Sequence, residues 1–193
     1  FRPPEEGTNI LHVGLPTNFK AAVFADPVHT DMLHRLADDI AAVTIDGKDV
    51  PVKLRVHDSL FVPMAKWSML LTGNYRCVEA DGVRAIRDAV HGDLHASTKM
   101  YAWVDALARQ LGADPADQVP FEKYANAATG LLKPSSAARA IDSGVDRIER
   151  VDRLVQMIGR GLGLYNEQLD EIVAIVDARL ATNANFKKVA NFG

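Results

Sequence analysis

Apolar residues are distributed along this chain in two regimes. Up to residue 57 they come in short runs broken by turn residues, and beyond it they recur at helical spacing almost to the C-terminus. After a polar, Pro-punctuated lead-in over residues 1–8, Ile10 to Leu15 and Ala21 to Ala25 read as short strands joined across Gly14-Leu15-Pro16-Thr17-Asn18. Leu33, Leu36, Ala37, Ile40 and Ala41 mark a helix over 30–42, with Thr30 as its N-cap. Val43 to Ile45 and Val50 to Val56 read as strands around Asp46-Gly47, a hairpin signal.

The second regime predicts a mostly buried helix from Ser59 to Leu71, then a helix opened by Asp81 and running to Leu111, bent near His91-Gly92-Asp93 and stopped by Gly112. A shorter helix follows over Phe121 to Leu132, ending before Pro134. Ser135 or Ser136 caps the next segment, in which Ser143-Gly144 allows a loop. The stripe from Val145 through Ile148, Val151, Val155 and Ile158 to Leu162 predicts a further helix, ended by Gly161 and Gly163. Asn166 caps a last helix carrying Leu169, Ile172, Val173, Val176 and Leu180. The expected division is an α/β segment over 1–57, a helical domain over 58–181 and a mobile polar tail over 182–193.

Composition narrows the class without changing this picture. With 193 residues, 48% hydrophobic, 24% charged and a net charge of -3, the chain has an ordinary globular profile and no field that would hold a polyanion. Nucleic acid is excluded as an expected partner, and with no apolar run of about 20 residues, so is a membrane-spanning helix. The one cysteine, Cys77, permits no internal disulfide and fits a cytoplasmic protein; it reads as a packing residue.

Gly159-Arg160-Gly161-Leu162-Gly163 is the one glycine-rich cluster, but it ends a helix instead of linking a strand to one, so it reads as helix termination and not as a phosphate cradle. His91 and His95 stand four apart without the adjacent glutamate of a zinc site and read as hydrogen-bonding residues. Lys66 sits inside an otherwise apolar run, Ala65 to Leu71. Either it lies at a helix edge with its stem covered, or it is held in a cleft where it passes a proton to a carbonyl oxygen.

The segment from Lys66 to Asn74, the stretch Lys133-Pro134-Ser135-Ser136 through Asp142, and Arg147-Ile148-Glu149-Arg150-Val151-Asp152 occur in an order that resembles the ketopantoate reductase family. Leu70 stands where that family has a first asparagine, and Ala137 and Ala140 replace its methionine and aspartate. The resemblance implies a mainly α chain: a helical C-terminal domain of the 6-phosphogluconate-dehydrogenase-like type, preceded by a small α/β remnant of a nucleotide-binding domain. It implies Lys66 and Glu149 as catalytic residues and Asn74, Ser136 and Ser135 as substrate-binding residues. A small 2-oxo acid would be the substrate, a homodimer the assembly, and NADP the cofactor, held by a Rossmann domain for which this chain carries no fingerprint. The expectation is therefore a C-terminal part of a reductase, inactive as this chain alone. Two alternatives remain open: a non-catalytic helical module for dimerisation or small-acid binding, and a relative among opine or hydroxyacid dehydrogenases.

Overall fold

The computed structural model describes residues 18–50, 52–57, 59 and 61–190. The expected lead-in over 1–8 and the strand over 10–15 lie outside these residues. The chain divides into two compact units, Phe1–Leu60 and Phe61–Gly193.

In the first unit, β1 (Asn18–Ala22) pairs in parallel with β4 (Lys53–His57), in register from Asn18↔Lys53 to Ala22↔His57. A parallel pair needs a crossover, which α1 (Pro27–Ala42) supplies. The N-cap is Asp26 and not Thr30: the Asp26 carboxylate accepts from the Val28 amide at 2.9 Å, and Pro27 pre-sets the first turn. The Thr30 hydroxyl instead bonds the backbone amide and carbonyl of Phe24. Between α1 and β4, β2 (Thr44–Ile45) and β3 (Lys48–Asp49) form a short antiparallel hairpin. Its turn has positive φ at Asp46 (53°) and Gly47 (71°), as a type I′ turn demands. The strand expected over 50–56 thus lies mostly within β4 and pairs away from the hairpin.

The second unit is helical around one principal core. α4 (Leu94–Gln110) contributes Met100, Val104 and Leu107, which pack with Leu71, Val155, Leu169, Val173 and Val176, each at most 4% exposed. Burying each such side chain stabilises the fold by about 1.5–3 kcal/mol. A smaller cluster joins Val90, Tyr101, Tyr124 and Ala128.

The helix expected from Ser59 to Leu71 is broken into three geometries. A 3-10 turn (Val62–Met64) leads into α2 (Ala65–Met69), which widens into a π-helical turn over Leu70–Asn74 and tightens again over Tyr75–Cys77. The Tyr75 amide reaches back five residues to the Leu70 carbonyl, and carbonyls of this segment take partners from elsewhere. Met69 O accepts from the Tyr124 hydroxyl at 3.1 Å, and Asn74 O accepts from the Ser135 hydroxyl at 2.8 Å.

Asp81 does not open a helix. It lies at the tip of a hairpin between β5 (Val78–Glu79) and β6 (Gly82–Val83), and Arg179 clamps that hairpin by donating to both Glu79 O and Gly82 O at 2.8 Å. The next helices are α3 (Ile86–His91) and α4, separated at Gly92-Asp93 as the pattern predicted, with Asp93 capping α4 through the Ala96 amide at 2.9 Å. α5 (Phe121–Ala128) ends four residues earlier than expected. The carbonyls of Leu131 and Lys133 instead receive the amides of Arg87 and Ile86 at the start of α3.

α6 (Ser136–Asp142) is capped by Ser135 and followed by Gly144 at φ 90°. The apolar stripe starting at Val145 becomes helical only at Val151, where α7 (Val151–Gly161) begins. α8 (Glu167–Ala190) is capped by the Asn166 side chain, which accepts from the Leu169 amide at 2.9 Å. The tail expected from residue 182 is helical as far as Ala190. Asn183 explains this: its side-chain amide donates to Ile141 O at 2.8 Å and Val145 O at 2.9 Å, fastening the last turns of α8 to the end of α6.

Candidate functional site

Three residues far apart in sequence, Asn74, Ser136 and Glu149, line one cavity of about 310 Å³. Each comes from a different local structure. Asn74 ends the π-helical turn, Ser136 begins α6, and Glu149 lies in the loop that enters α7. A π-helical turn changes the direction of successive side chains relative to an α-helix, and such turns recur at functional sites. Among the described residues, no hydrogen bond or ion pair engages these three side chains. The rest of the lining is Leu70, Ala137, Ile148 and Val151, together with Tyr75.

Tyr75 fixes the loop. Only 4% exposed, it donates its hydroxyl to Glu149 O at 2.6 Å and accepts the Val151 amide at 3.0 Å. Burial pushes its phenol above the ordinary value, so it stays a neutral donor. Arg150 secures the other side of the loop through a two-pronged contact with the fully buried Asp152, at 2.9 and 2.8 Å, and a contact with Asp177 at 2.5 Å. Burial opposes the charge on Arg150, but these hydrogen bonds outweigh it and raise its affinity for the proton. Burial likewise pushes the Asp177 carboxyl up, yet contact with Arg150 and then Arg153 holds it below the usual carboxylate range.

The two adjacent serines divide their tasks. Ser135 is buried, and its hydroxyl is taken up by Asn74 O and by the Ala138 amide at 3.1 Å, so it caps α6 and ties that helix to the π-helical turn. Ser136 is exposed and faces the cavity. A second cavity of about 510 Å³ shares Asn74, Ser135 and Ser136 with the first and adds the cationic side chains of Lys133 and Arg139.

Lys66 does not line either cavity. It is exposed on α2, four residues before Leu70, and the Leu70 amide donates to its carbonyl. Its position is that of a lysine at a helix edge, one turn from the cavity wall on the same element.

The remaining candidates take structural roles. His91 Nε2 lies 3.0 Å from Ala125 O and links α3 to α5. Cys77 is fully buried, its thiol donating to Gly73 O at 3.3 Å, and burial raises its pKa. In the glycine cluster, a Cβ on Gly159 would lie 2.9 Å from the Trp103 ring, and Gly163 has φ 73° beyond the end of α7. These glycines serve close packing and chain reversal. This cluster is therefore a helix end and not a cradle for a dinucleotide pyrophosphate. Among the described residues no helix is long and apolar enough to cross a membrane.

Sequence reasoning passed over Tyr75 and Ile148. Ile148 stood in an apolar stripe and beside Glu149 without a role of its own, and the tyrosine carries no motif; its role depends on a loop placed by residues more than seventy positions away.

Comparison with protein-family models, curated proteins and solved structures finds no match.

Proposed function

We propose that the 61–193 unit is an acid-binding domain of the ketopantoate-reductase type, whose ligand is a small 2-oxo or 2-hydroxy acid. The observation that carries this reading is the convergence of Asn74, Ser136 and Glu149 on one cavity. Asn74 and Ser136 offer neutral hydrogen-bond donors to a carboxylate, and Lys133 and Arg139 in the adjoining cavity add positive charge on that side. Glu149 is an acceptor, suited to the C2 hydroxyl of the reduced acid.

In a full reductase, Lys66 would lend a proton to the C2 oxygen, its flexible stem bridging roughly one helical turn of ~5.4 Å. A nicotinamide would supply the hydride in such an enzyme. Without that cofactor the domain's own chemistry is binding and orientation, with Ser136 and Asn74 holding the carboxylate and Glu149 aligning the hydroxyl.

Isothermal titration of the chain with 2-hydroxypentanoate tests the reading. Saturable binding is expected, weakened about tenfold by Glu149→Ala and similarly by Ser136→Ala, since a hydrogen bond to a charged group contributes about 1.5 kcal/mol or more. Absence of saturable binding, or equal binding by the wild type and both variants, would rule it out.

A further inference from the structure

The lining of the cavity divides cleanly by chemistry. Its polar side chains are Asn74, Ser136, Glu149 and Tyr75, but the Tyr75 hydroxyl is already committed to Glu149 O and the Val151 amide. Three side chains thus remain to meet a ligand. The polar atoms of a 2-hydroxy acid head are also three: two carboxylate oxygens and the C2 oxygen. All other lining residues, Leu70, Ala137, Ile148 and Val151, are aliphatic. Leu70, Ile148 and Val151 pack against the principal core, so this wall is held in place from behind.

We propose that the ligand's side chain is an unsubstituted alkyl group that lies against Leu70, Ile148 and Val151, an inference that rests on the acid-binding reading of the same cavity. The adjoining cavity sets the orientation. Because Lys133 and Arg139 line only the adjoining cavity, which shares Asn74 and Ser136 with this one, the carboxylate is placed at the shared residues and the alkyl group at the aliphatic wall. A hydroxyl or amine on that side chain would meet no donor or acceptor on this aliphatic wall, and a polar group pressed unpaired against apolar surface costs more than an apolar group gains by one extra methylene. The volume of about 310 Å³ has room for a short-chain acid of this kind and lies at the small end of ligand sites. Leu70 is the residue that sets the selection, since it stands where α2 passes into the π-helical turn and lines the cavity with a side chain that cannot hydrogen-bond.

The test compares 2-hydroxypentanoate with its terminally hydroxylated analogue, two probes that differ by one oxygen, against the wild-type chain and Leu70→Asn. Wild type is expected to bind the alkyl probe tighter by about tenfold or more. Leu70→Asn, verified as folded by circular dichroism, is expected to narrow or reverse that preference by supplying an amide to the added hydroxyl. Equal or tighter wild-type binding of the hydroxylated probe would overturn the alkyl inference while leaving the acid-binding reading intact. Failure of both probes to bind wild type would overturn the acid-binding reading itself, and the inference with it. The wild-type comparison decides the matter even if Leu70→Asn does not fold.

Discussion

Replacing Tyr75 by phenylalanine removes one oxygen and, with it, both hydrogen bonds that pin the Glu149 loop. The Glu149 carbonyl loses a donor at 2.6 Å and the Val151 amide loses an acceptor at 3.0 Å, beside a side chain only 4% exposed. Each group left without its partner costs about 1–1.5 kcal/mol, so Tyr75→Phe should lose about 2–3 kcal/mol. For a cooperative unit the size of residues 61–193, an unfolding entropy of about 2 cal/mol/K per residue turns this into a Tm drop of roughly 7–11 °C. Differential scanning calorimetry measures it. The loop should also loosen in the folded state. If the fraction holding Glu149 in the cavity falls to about a tenth, acid affinity falls about tenfold. A Tm within about 1 °C of wild type together with unchanged affinity would refute the claim that Tyr75 positions this loop.

Three further outcomes follow from the packing and the ionisable groups. Gly73→Ala places a Cβ against the Tyr124 hydroxyl and 3.2 Å from Ile86 Cγ2; urea denaturation should show a loss of about 1–3 kcal/mol, partly recovered when Tyr124→Phe is added. Asp177 has a depressed carboxyl pKa in the fold, so its contribution is complete above the unfolded value of about 3.9 and is lost as pH falls below it. Asp177→Asn should accordingly flatten the acid limb of a stability–pH profile, whereas an unchanged limb would show that the Arg150 and Arg153 contacts carry no such linkage. Burial pushes the Tyr101 phenol up to about 12. Its contribution is therefore fully present below the unfolded value of about 10 and lost as pH rises from there through about 12, and absorbance titration of wild type against Tyr101→Phe should show one phenol ionising late.

How much of this was legible in the sequence depended on whether the determining contacts are local. Asp46-Gly47, Asn166 and Gly163 act on their own neighbours, and the turn, cap and helix end they predict are present. The break at Gly92-Asp93 is local too, since Asp93 caps the helix it begins. The π-helical turn at Leu70–Asn74 was not legible, because Tyr124 and Ser135, from later in the chain, take up the Met69 carbonyl just before it and the Asn74 carbonyl at its end. The hairpin around Asp81 depends on Arg179, a hundred positions away in the case of Glu79. Helix α8 outran its expected end because Asn183 finds partners on α6, which no local propensity reports.

The site divides in the same way. Asn74, Ser136 and Glu149 stood out because polar residues in a familiar order invite comparison, and they line one cavity. Ser135 stood beside Ser136 in the same motif, and only the backbone geometry at the start of α6 separates the capping serine from the cavity-facing one. Lys66 was conspicuous for its apolar neighbours, which face into the second unit while the lysine itself is exposed. Leu70 and Ile148 carry no polar signal, so their place in the cavity could be seen only once the chain was folded.

The most direct test of the account is an amide chemical-shift map of the chain during titration with 2-hydroxypentanoate. The account predicts saturable shifts concentrated on residues 70–75, 135–139 and 147–151, the three segments that bring Asn74, Ser136 and Glu149 together. No saturable shifts, or shifts concentrated on other segments, would contradict the assignment of this cavity as the acid site.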